Sequence, residues 1–304
     1  MLWAAAEAKA RPRPPPERGG VRHVTSALQT ATGPELFRQG WVPEDEPAAA
    51  LAVVHGYGEH SGRYRLLAEA LVPRGFAVQA LDLRGHGRSP GRRGHIARFG
   101  DYVDDALAFA AAVRGEYPDR RVFLLGHSMG GLIAALCAET RDEGLDGLML
   151  SSPFIQLKIP VSGVKIAAVR VLSRLAPERD VGNPLQAAQL SHDEAIVRAC
   201  EADALCHRAA TARWGAEVLR AQDAVLAGAS RLRLPLLLQY AGADLIADPQ
   251  AALRLFAAAG SPDKTSHAYT GYYPEIFNEI GRDAVYADLL AWLDDHTAWA
   301  SAAR

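Results

Sequence analysis

Residues 124–131 read Leu-Leu-Gly-His-Ser-Met-Gly-Gly, and this stretch decides the fold. An apolar run typical of a β-strand (122–125) leads into it, and a helix-forming run (132–140) follows it. Glycine at positions 126 and 130 permits a turn from strand to helix that is too tight for a Cβ atom. The pattern therefore predicts a nucleophile elbow, with the hydroxyl of Ser128 on a sharp bend above a sheet.

Two backbone N–H groups are candidates for stabilising an oxyanion near Ser128. The Met129 N–H lies in the first turn of the helix that follows the elbow, where it can face a developing negative charge. A second loop, residues 55–64, reads His-Gly-Tyr-Gly-Glu-His-Ser-Gly-Arg-Tyr after an apolar strand. Its glycines allow the backbone to approach a bound carbonyl closely, which makes the Tyr57 N–H the second candidate donor.

Polar side chains crowd this loop and the following one, residues 82–95. We expect them to fix the hydrogen bonds of their own loops, because closely spaced polar side chains commonly do so. No acidic or thiol ligand completes a metal site around the histidines, so we predict neither a metal nor a cofactor. The side chains concerned are His55, Glu59, His60, Arg63, His86, Arg88, Arg92 and His95.

Composition indicates a single globular enzyme. The 304 residues are 49% hydrophobic and 22% charged, enough for one large α/β domain with an insertion. A net charge of −2 gives no electrostatic reason to expect nucleic acid. Three cysteines without metal-ligand spacing, Cys137, Cys200 and Cys206, fit buried thiols in the cytoplasm. We expect residues 1–20, rich in arginine and proline, to form a disordered tail.

Apolar β-type runs alternate with helical runs along most of the chain. This alternation predicts an α/β fold with a mainly parallel central sheet and helices on both faces. An antiparallel hairpin is expected at 21–42, with its turn at 32–34. The strands are predicted at 49–54, 77–82, 122–125, 145–150, 234–240 and 265–269, and the helices at 64–72, 99–116, 132–140, 249–259 and 284–296.

The alternation fails between residues 153 and 231, where no strand is indicated. This gap is too long for a crossover loop, so we predict a helical cap at 154–230 inserted into a core of 21–153 and 231–304. An apolar run at 161–175 is too broad for one helical stripe. Either both of its faces are packed, or one of them lines an acyl-chain tunnel. Contact of the cap with a lipid surface is a further hypothesis.

The acid of a catalytic triad should follow the strand after the cap, because a serine elbow precedes its acid and its histidine in chain order. Asp244 stands at the carboxyl end of that strand. Asp248 directly precedes Pro249 and a helical run, which is the pattern of a helix N-cap. We therefore assign the catalytic role to Asp244.

Taken together, these motifs resemble the bacterial monoacylglycerol lipase and lysophospholipase branch of the α/β-hydrolases. The resemblance covers about residues 21–297 and implies an α/β-hydrolase fold and a Ser-Asp-His esterase acting on single-acyl lipids. It implies Ser128 as the nucleophile, Asp244 as the acid, Tyr57 and Met129 as oxyanion donors, and a cap that shapes the acyl site and gates entry. The motifs that carry it are 55–64, 84–89, 126–131, 151–153 and 242–244.

The chain departs from this family where the base should be. Members carry a segment of the type Gly-x-Tyr-His-Glu after the last strand, whereas residues 271–275 read Gly-Tyr-Tyr-Pro-Glu. Pro274 occupies the histidine position and has no group that titrates near neutral pH. We therefore expect a hydrolase with impaired catalysis; the alternative is a non-catalytic binder of acyl ligands.

Other residues could supply a base in principle. His267 and His296 follow Asp244 but do not fall on the loop that presents the base in this fold. Glu275 is next to Pro274, yet an ordinary carboxylate is a weak base at neutral pH. A histidine of the 55–64 loop, His55 or His60, is the most plausible substitute by proximity. The sequence predicts a small-molecule acyl ester as the ligand. It does not indicate which oligomeric state the protein adopts.

Overall fold

An eight-stranded sheet forms the centre of the protein. The structure, a computed structural model, describes residues 20–30, 33–142, 144–159, 161–182 and 186–302, the last without the side chains of 298–302. The strands are β1 (Val21–Leu28), β2 (Leu36–Pro43), β3 (Ala49–Val54), β4 (Phe76–Leu81), β5 (Arg121–His127), β6 (Gly147–Ser151), β7 (Leu236–Ala241) and β8 (Lys264–Tyr269). Their order is β1-β2-β4-β3-β5-β6-β7-β8; β2 pairs antiparallel with β1 and β4, and the other pairs are parallel.

Helices cover both faces of this sheet. They are α1 (Arg65–Leu71), α2 (Gly100–Glu116), α3 (Met129–Thr140), α4 (Gly163–Leu175), α5 (Glu194–Ala202), α6 (Ala212–Gly228), α7 (Pro249–Ala258) and α8 (Arg282–Ala302). Buried residues of α2, α3, α6 and α7 form the core on one face, and those of α1 and α8 form the core on the other. Strand β3 shows why its sequence is apolar throughout: Ala52 and Val54 face one core, while Leu51 and Val53 face the other.

The fold class predicted from the sequence is confirmed, and each predicted strand and helix is present within a few residues of its expected limits. The largest helix-start error is at α3, which begins at Met129 rather than Leu132, because Gly130 and Gly131 lie in its first turn and glycine is a poor helix former. Helix α8 runs to Ala302, beyond the predicted end at 296. Strands β1 and β2 form the predicted hairpin. The expected tail at 1–19 and part of the turn at 32–34 lie outside the described residues.

Helices α4, α5 and α6 follow one another between β6 and β7, and the described residues there contribute no strand to the sheet. We call this segment, 154–230, the cap. Helix α6 joins the core through Val218, Ala221 and Val225. Helix α4 lies outside it, and its Val164 and Leu175 are 81% and 80% exposed. The expectation that both faces of the apolar run at 161–175 are packed is therefore wrong, because α4 leaves an apolar face in solvent. That one face lines an acyl-chain tunnel stays a prediction.

No helix in the described part of the chain combines the length and apolar character needed to cross a membrane.

Glycine at positions 126 and 130 lets α3 pack directly on the sheet. A Cβ atom on Gly130 would lie 2.1 Å from the carbonyl oxygen of Val54, and one on Gly126 would lie 2.2 Å from the carbonyl oxygen of Gly130. Both contacts are with backbone atoms, which cannot rotate away. The close approach of α3 to β3 thus requires glycine, as the elbow motif predicts.

Replacing Gly130 by alanine is therefore expected to lower the free energy of unfolding by about 3 kcal/mol or more, because α3 must move off β3. Gly115, near the end of α2, has nothing within 4 Å of its missing Cβ and provides the matched control. Gly115→Ala should raise stability by up to about 1 kcal/mol. Urea denaturation followed by tryptophan fluorescence measures both, and equal effects of the two substitutions would contradict the packing argument.

Candidate active site

Ser128 lies at the sharp turn between β5 and α3. Its backbone angles, φ 51° and ψ −116°, are unusual for a residue with a side chain and cost about 1–3 kcal/mol. Neighbouring backbone holds the turn: the Ser128 N–H donates to the Ser151 carbonyl at 2.9 Å, and its own carbonyl accepts from the Phe154 N–H at 2.9 Å. This is the elbow geometry expected from the sequence, with the serine half-buried above the sheet.

One cavity of about 480 Å³ brings together the distant residues singled out in the sequence. Ser128, Asp244, Tyr57 and Pro274 all line it. Met129 is buried behind Ser128, and its N–H lies in the first turn of α3, where no intrahelical acceptor exists. The Tyr57 ring packs on Trp214 of the cap with ring centroids 4.0 Å apart, and its hydroxyl donates to the Ala209 carbonyl. The loop after β3 is thus attached to the cap.

Asp244 is held by backbone rather than by a basic side chain. Its Oδ1 accepts hydrogen bonds from the Ile246 N–H at 2.7 Å and the Ala247 N–H at 2.9 Å. The residue is 3% exposed, and this burial raises its pKa from 3.8 to about 6. Among the described residues it forms no ion pair. Asp248 instead caps α7 by accepting from the Gln250 N–H at 3.0 Å, as its position before Pro249 predicts.

Pro274 faces the cavity from the loop after β8. Its carbonyl accepts from the Ile276 N–H at 2.8 Å, and the preceding Tyr273 N–H donates to Glu279 at 3.1 Å. The Tyr273 ring stacks on His192 of the cap, with centroids 3.8 Å apart. The loop is therefore firmly bonded on both sides of the proline, and what this position lacks is a proton acceptor.

A buried ion-pair network joins the loop after β3 to the loop after β8. Arg63 donates through Nε to Glu59 at 3.1 Å and through a terminal nitrogen to Glu275. Glu59 also accepts from the Gly56 N–H at 2.6 Å and from the Tyr64 hydroxyl at 3.0 Å. Glu275 lines the cavity, and its Oε2 accepts hydrogen bonds from both Arg63 and the Asn278 amide, so this oxygen is committed to the structure.

The two histidines proposed as substitute bases are also committed. His55 accepts from the Leu83 N–H through Nε2 and donates through Nδ1 to the Gly56 carbonyl, and burial lowers its pKa. His60 accepts from the Gly62 N–H through Nδ1, and its Nε2 lies 2.8 Å from Asp203. Both nitrogens of each ring are therefore engaged, and neither ring is placed to take a proton from Ser128.

His267 and His296 lie outside the cavity. They line a separate open groove between β8 and α8, where His267 lies 3.4 Å from Asp288 and His296 lies 3.0 Å from Asp263. This agrees with their expected structural roles.

The sequence analysis missed two histidines that line the cavity, His127 and His207, and burial lowers the pKa of His207 to about 4. His127 precedes Ser128, its Nδ1 lies 3.1 Å from the Ser151 hydroxyl, and it is close enough to Asp244 and Glu59 to interact electrostatically with both. Its position at the end of β5, one residue before the elbow serine, was the available signal.

Comparison with known proteins shows which family the chain belongs to. The family profile described as serine aminopeptidase, S33, matches residues 45–281. Human monoglyceride lipase is 36% identical over 281 residues, which is 91% of this chain and 92% of that protein. The chain belongs to the monoglyceride lipase family of α/β-hydrolases. Family membership places it among the serine ester hydrolases.

Other members of the monoglyceride lipase family agree with this assignment. The monoacylglycerol lipase of Mycolicibacterium smegmatis is 32% identical over 268 residues, 87% of this chain and 94% of that protein. The crystal structure of Paleococcus ferrophilus monoacylglycerol lipase matches this chain with a TM-score of 0.77 and 33% identity. The match covers 86% of this chain and 99% of the Paleococcus chain.

Asp244→Asn is expected to become more stable than the parent as the pH rises. The contribution of a carboxyl whose pKa is raised from 3.8 to about 6 on folding is complete below the lower value and is lost as the pH rises through the higher one. The amide cannot ionise and keeps an acceptor oxygen. Between about pH 4 and about pH 8 the difference in unfolding free energy should therefore grow by about 2–3 kcal/mol in favour of the variant.

Urea denaturation of both proteins across this pH range measures the difference. A difference that does not change with pH would show that Asp244 is not held in the environment described above.

Proposed function

We propose that this chain is a serine hydrolase of single-acyl lipid esters, such as monoacylglycerols, whose turnover is impaired because Pro274 stands where the base should be. The observation that carries the proposal is the cavity itself, which Pro274 lines together with Ser128 and Asp244. The residues proposed as nucleophile and acid thus line one cavity, with a proline at the position proposed for the base. The names and identities of the relatives support the substrate class.

In the proposed reaction the Ser128 hydroxyl attacks the ester carbonyl and the Met129 and Tyr57 N–H groups stabilise the oxyanion. An acyl-enzyme then forms on Ser128, and water releases the acid. A complete triad uses an imidazole to take the serine proton and return it to the leaving alcohol. Without it, both transfers fall to water or a weak base, so acylation and deacylation should both be slow.

A non-catalytic acyl-ligand binder is the second candidate. The specific observation in its favour is that Glu59, Arg63 and Glu275 keep both loops bonded around the cavity without any imidazole at position 274. A pocket stabilised in this way can bind an ester whether or not it turns it over. If the binder alternative holds, Ser128→Ala will leave every measurable property unchanged.

We further infer that the protein is cytoplasmic and that its helix α4 contacts lipid surfaces. Its exposed side includes Val164, Val171 and Leu175 together with Lys165, Arg170 and Arg174, and it has no acidic residue. An apolar face beside basic side chains is typical of interfacial helices. The net charge of the whole chain, −2, does not reveal the local positive charge of this helix.

The chain should co-sediment with liposomes that contain anionic lipid. The double substitution Val171→Ser and Leu175→Ser should reduce the bound fraction, because it removes apolar area that would become buried in the lipid. Val21→Ser, at an exposed valine of β1, is the control. Absence of co-sedimentation by the unmutated chain would contradict the inference.

Pro274→His is expected to raise kcat for a short-chain p-nitrophenyl ester and for a monoacylglycerol by about 10⁴-fold, the effect of restoring one member of a triad. Tyr273→His, which places an imidazole one residue earlier, is the matched control and should give no such gain. Adding Ser128→Ala to Pro274→His should abolish the gained activity.

Equal, fast turnover by the parent and Pro274→His would show that another residue acts as the base. If both fail on short and long esters while the parent binds them, the binder alternative is supported.

A further inference from the structure

A cluster of metal-binding side chains lies where the cap meets the loop after β3. His60 Nε2, Asp203 Oδ2 and Cys206 Sγ are all within 4.8 Å of one another. The Cys200 thiol neighbours that of Cys206 but lies outside this group of three. His60 comes from the core, whereas the other three residues follow one another at the end of α5. Cys200, Asp203 and Cys206 line the cavity, which gives an ion a route to the cluster from solvent.

The donor set matches the preference of Zn²⁺ for sulfur, imidazole nitrogen and carboxylate oxygen in a tetrahedron. Metal–ligand bonds of about 2.0–2.3 Å place the ligand atoms roughly 3–4 Å apart. His60 Nε2 and Asp203 Oδ2 are 2.8 Å apart, so these two atoms need to separate only slightly. For these two residues the required shift is a small side-chain rotation, whereas the Cys200 thiol must move toward the other three ligand atoms.

The local backbone already directs these side chains. Asp203 accepts from the Leu205 N–H at 2.8 Å through Oδ1, which leaves Oδ2 facing His60. The Cys206 N–H donates to the Asp203 carbonyl at 3.1 Å, and this turn brings the Cys206 thiol back toward the carboxylate. A carboxylate that is held by a hydrogen bond of its own has a fixed orientation, which suits it to be a metal ligand.

The surrounding charges tolerate a cation. The Arg63 guanidinium is paired with two carboxylates, Glu59 and Glu275, and Arg208, which lines the same cavity, lies 3.8 Å from Glu201. Asp203 supplies a carboxylate 2.8 Å from the His60 imidazole, which is the negative charge that a bound cation requires.

We propose that His60, Asp203 and Cys206, with Cys200 as the fourth ligand, form a binding site for Zn²⁺ that ties the cap to the loop after β3. Binding releases the two thiol protons to solvent, and the imidazole proton moves from Nε2 to Nδ1 as Nε2 takes the metal. The ring then gives up the hydrogen bond it accepts from the Gly62 N–H, a weaker interaction than the metal bonds gained. This site stands independently of the proposed ester hydrolysis.

The first test is competition for Zn²⁺ between the reduced, metal-free chain and a chromogenic zinc indicator. The chain should withdraw one equivalent. Cys206→Ser and His60→Asn should each weaken binding by about 100-fold or more, which is at least the cost of losing a supporting residue around a metal. Asparagine at position 60 keeps an acceptor for the Gly62 N–H, so that variant removes the metal ligand but not this hydrogen bond. Cys137→Ala, which removes a buried core thiol, is the control and should bind as the parent does.

A second measurement needs no substitution. Loading the unmutated chain with Co²⁺ should give the near-ultraviolet charge-transfer absorption of cobalt bound to thiolate, and Zn²⁺ should raise its Tm. Unchanged zinc affinity in Cys206→Ser, or the lack of both the charge-transfer band and one-equivalent binding, would overturn the proposal. Since neither readout is hydrolysis, an inactive chain leaves the test valid.

Discussion

The contact between the backbone of α3 and the end of β3 is the constraint on which the site depends. Only hydrogen at the Cα of Gly130 fits against the Val54 carbonyl, and this contact fixes where α3 begins. The start of α3 sets the turn at Ser128, with its positive φ, and places the Met129 N–H beside the loop after β3. Because parallel strands end at the same edge of the sheet, the loops after β7 and β8 meet this turn as well.

The Glu59–Arg63–Glu275 network holds the shape of the cavity independently of the side chain at position 274. It connects loops 212 residues apart in sequence and uses no atom of residue 274. Breaking a buried ion pair by removing one partner costs about 3–5 kcal/mol, so stability alone favours keeping all three side chains. The geometry of the cavity is thus maintained by interactions that do not depend on turnover, whereas the proton transfer depends on one side chain.

The sequence predicted the parts of the structure that follow from local patterns. The elbow, the strands and the N-cap at Asp248 each have a signature within a few residues. The cap helices and the exposed side of α4 were not predictable in detail, because periodicity does not show which surface covers an apolar face. The committed nitrogens of His55 and His60 depend on Leu83 and Asp203, partners 28 and 143 residues away. Contacts of this range leave no local pattern in the sequence. The proposed metal site was not expected from the sequence for the same reason, because the spacing of the cysteines does not include the distant His60.

The environment of Asp244 bears on whether the proline is a change to a catalytic site or part of a site built for another purpose. Burying a carboxylate with only two backbone N–H donors for support raises its pKa to about 6, which is unfavourable at neutral pH. A positively charged imidazole at the neighbouring loop would offset this burial, since it would donate a hydrogen bond to the carboxylate in the low-dielectric cavity. A binding pocket has no need for an ionisable group at this place, and an asparagine or a serine would satisfy the same N–H donors more cheaply. The presence of Asp244 in the cavity that Ser128 lines therefore supports the proposed hydrolase over the binder alternative.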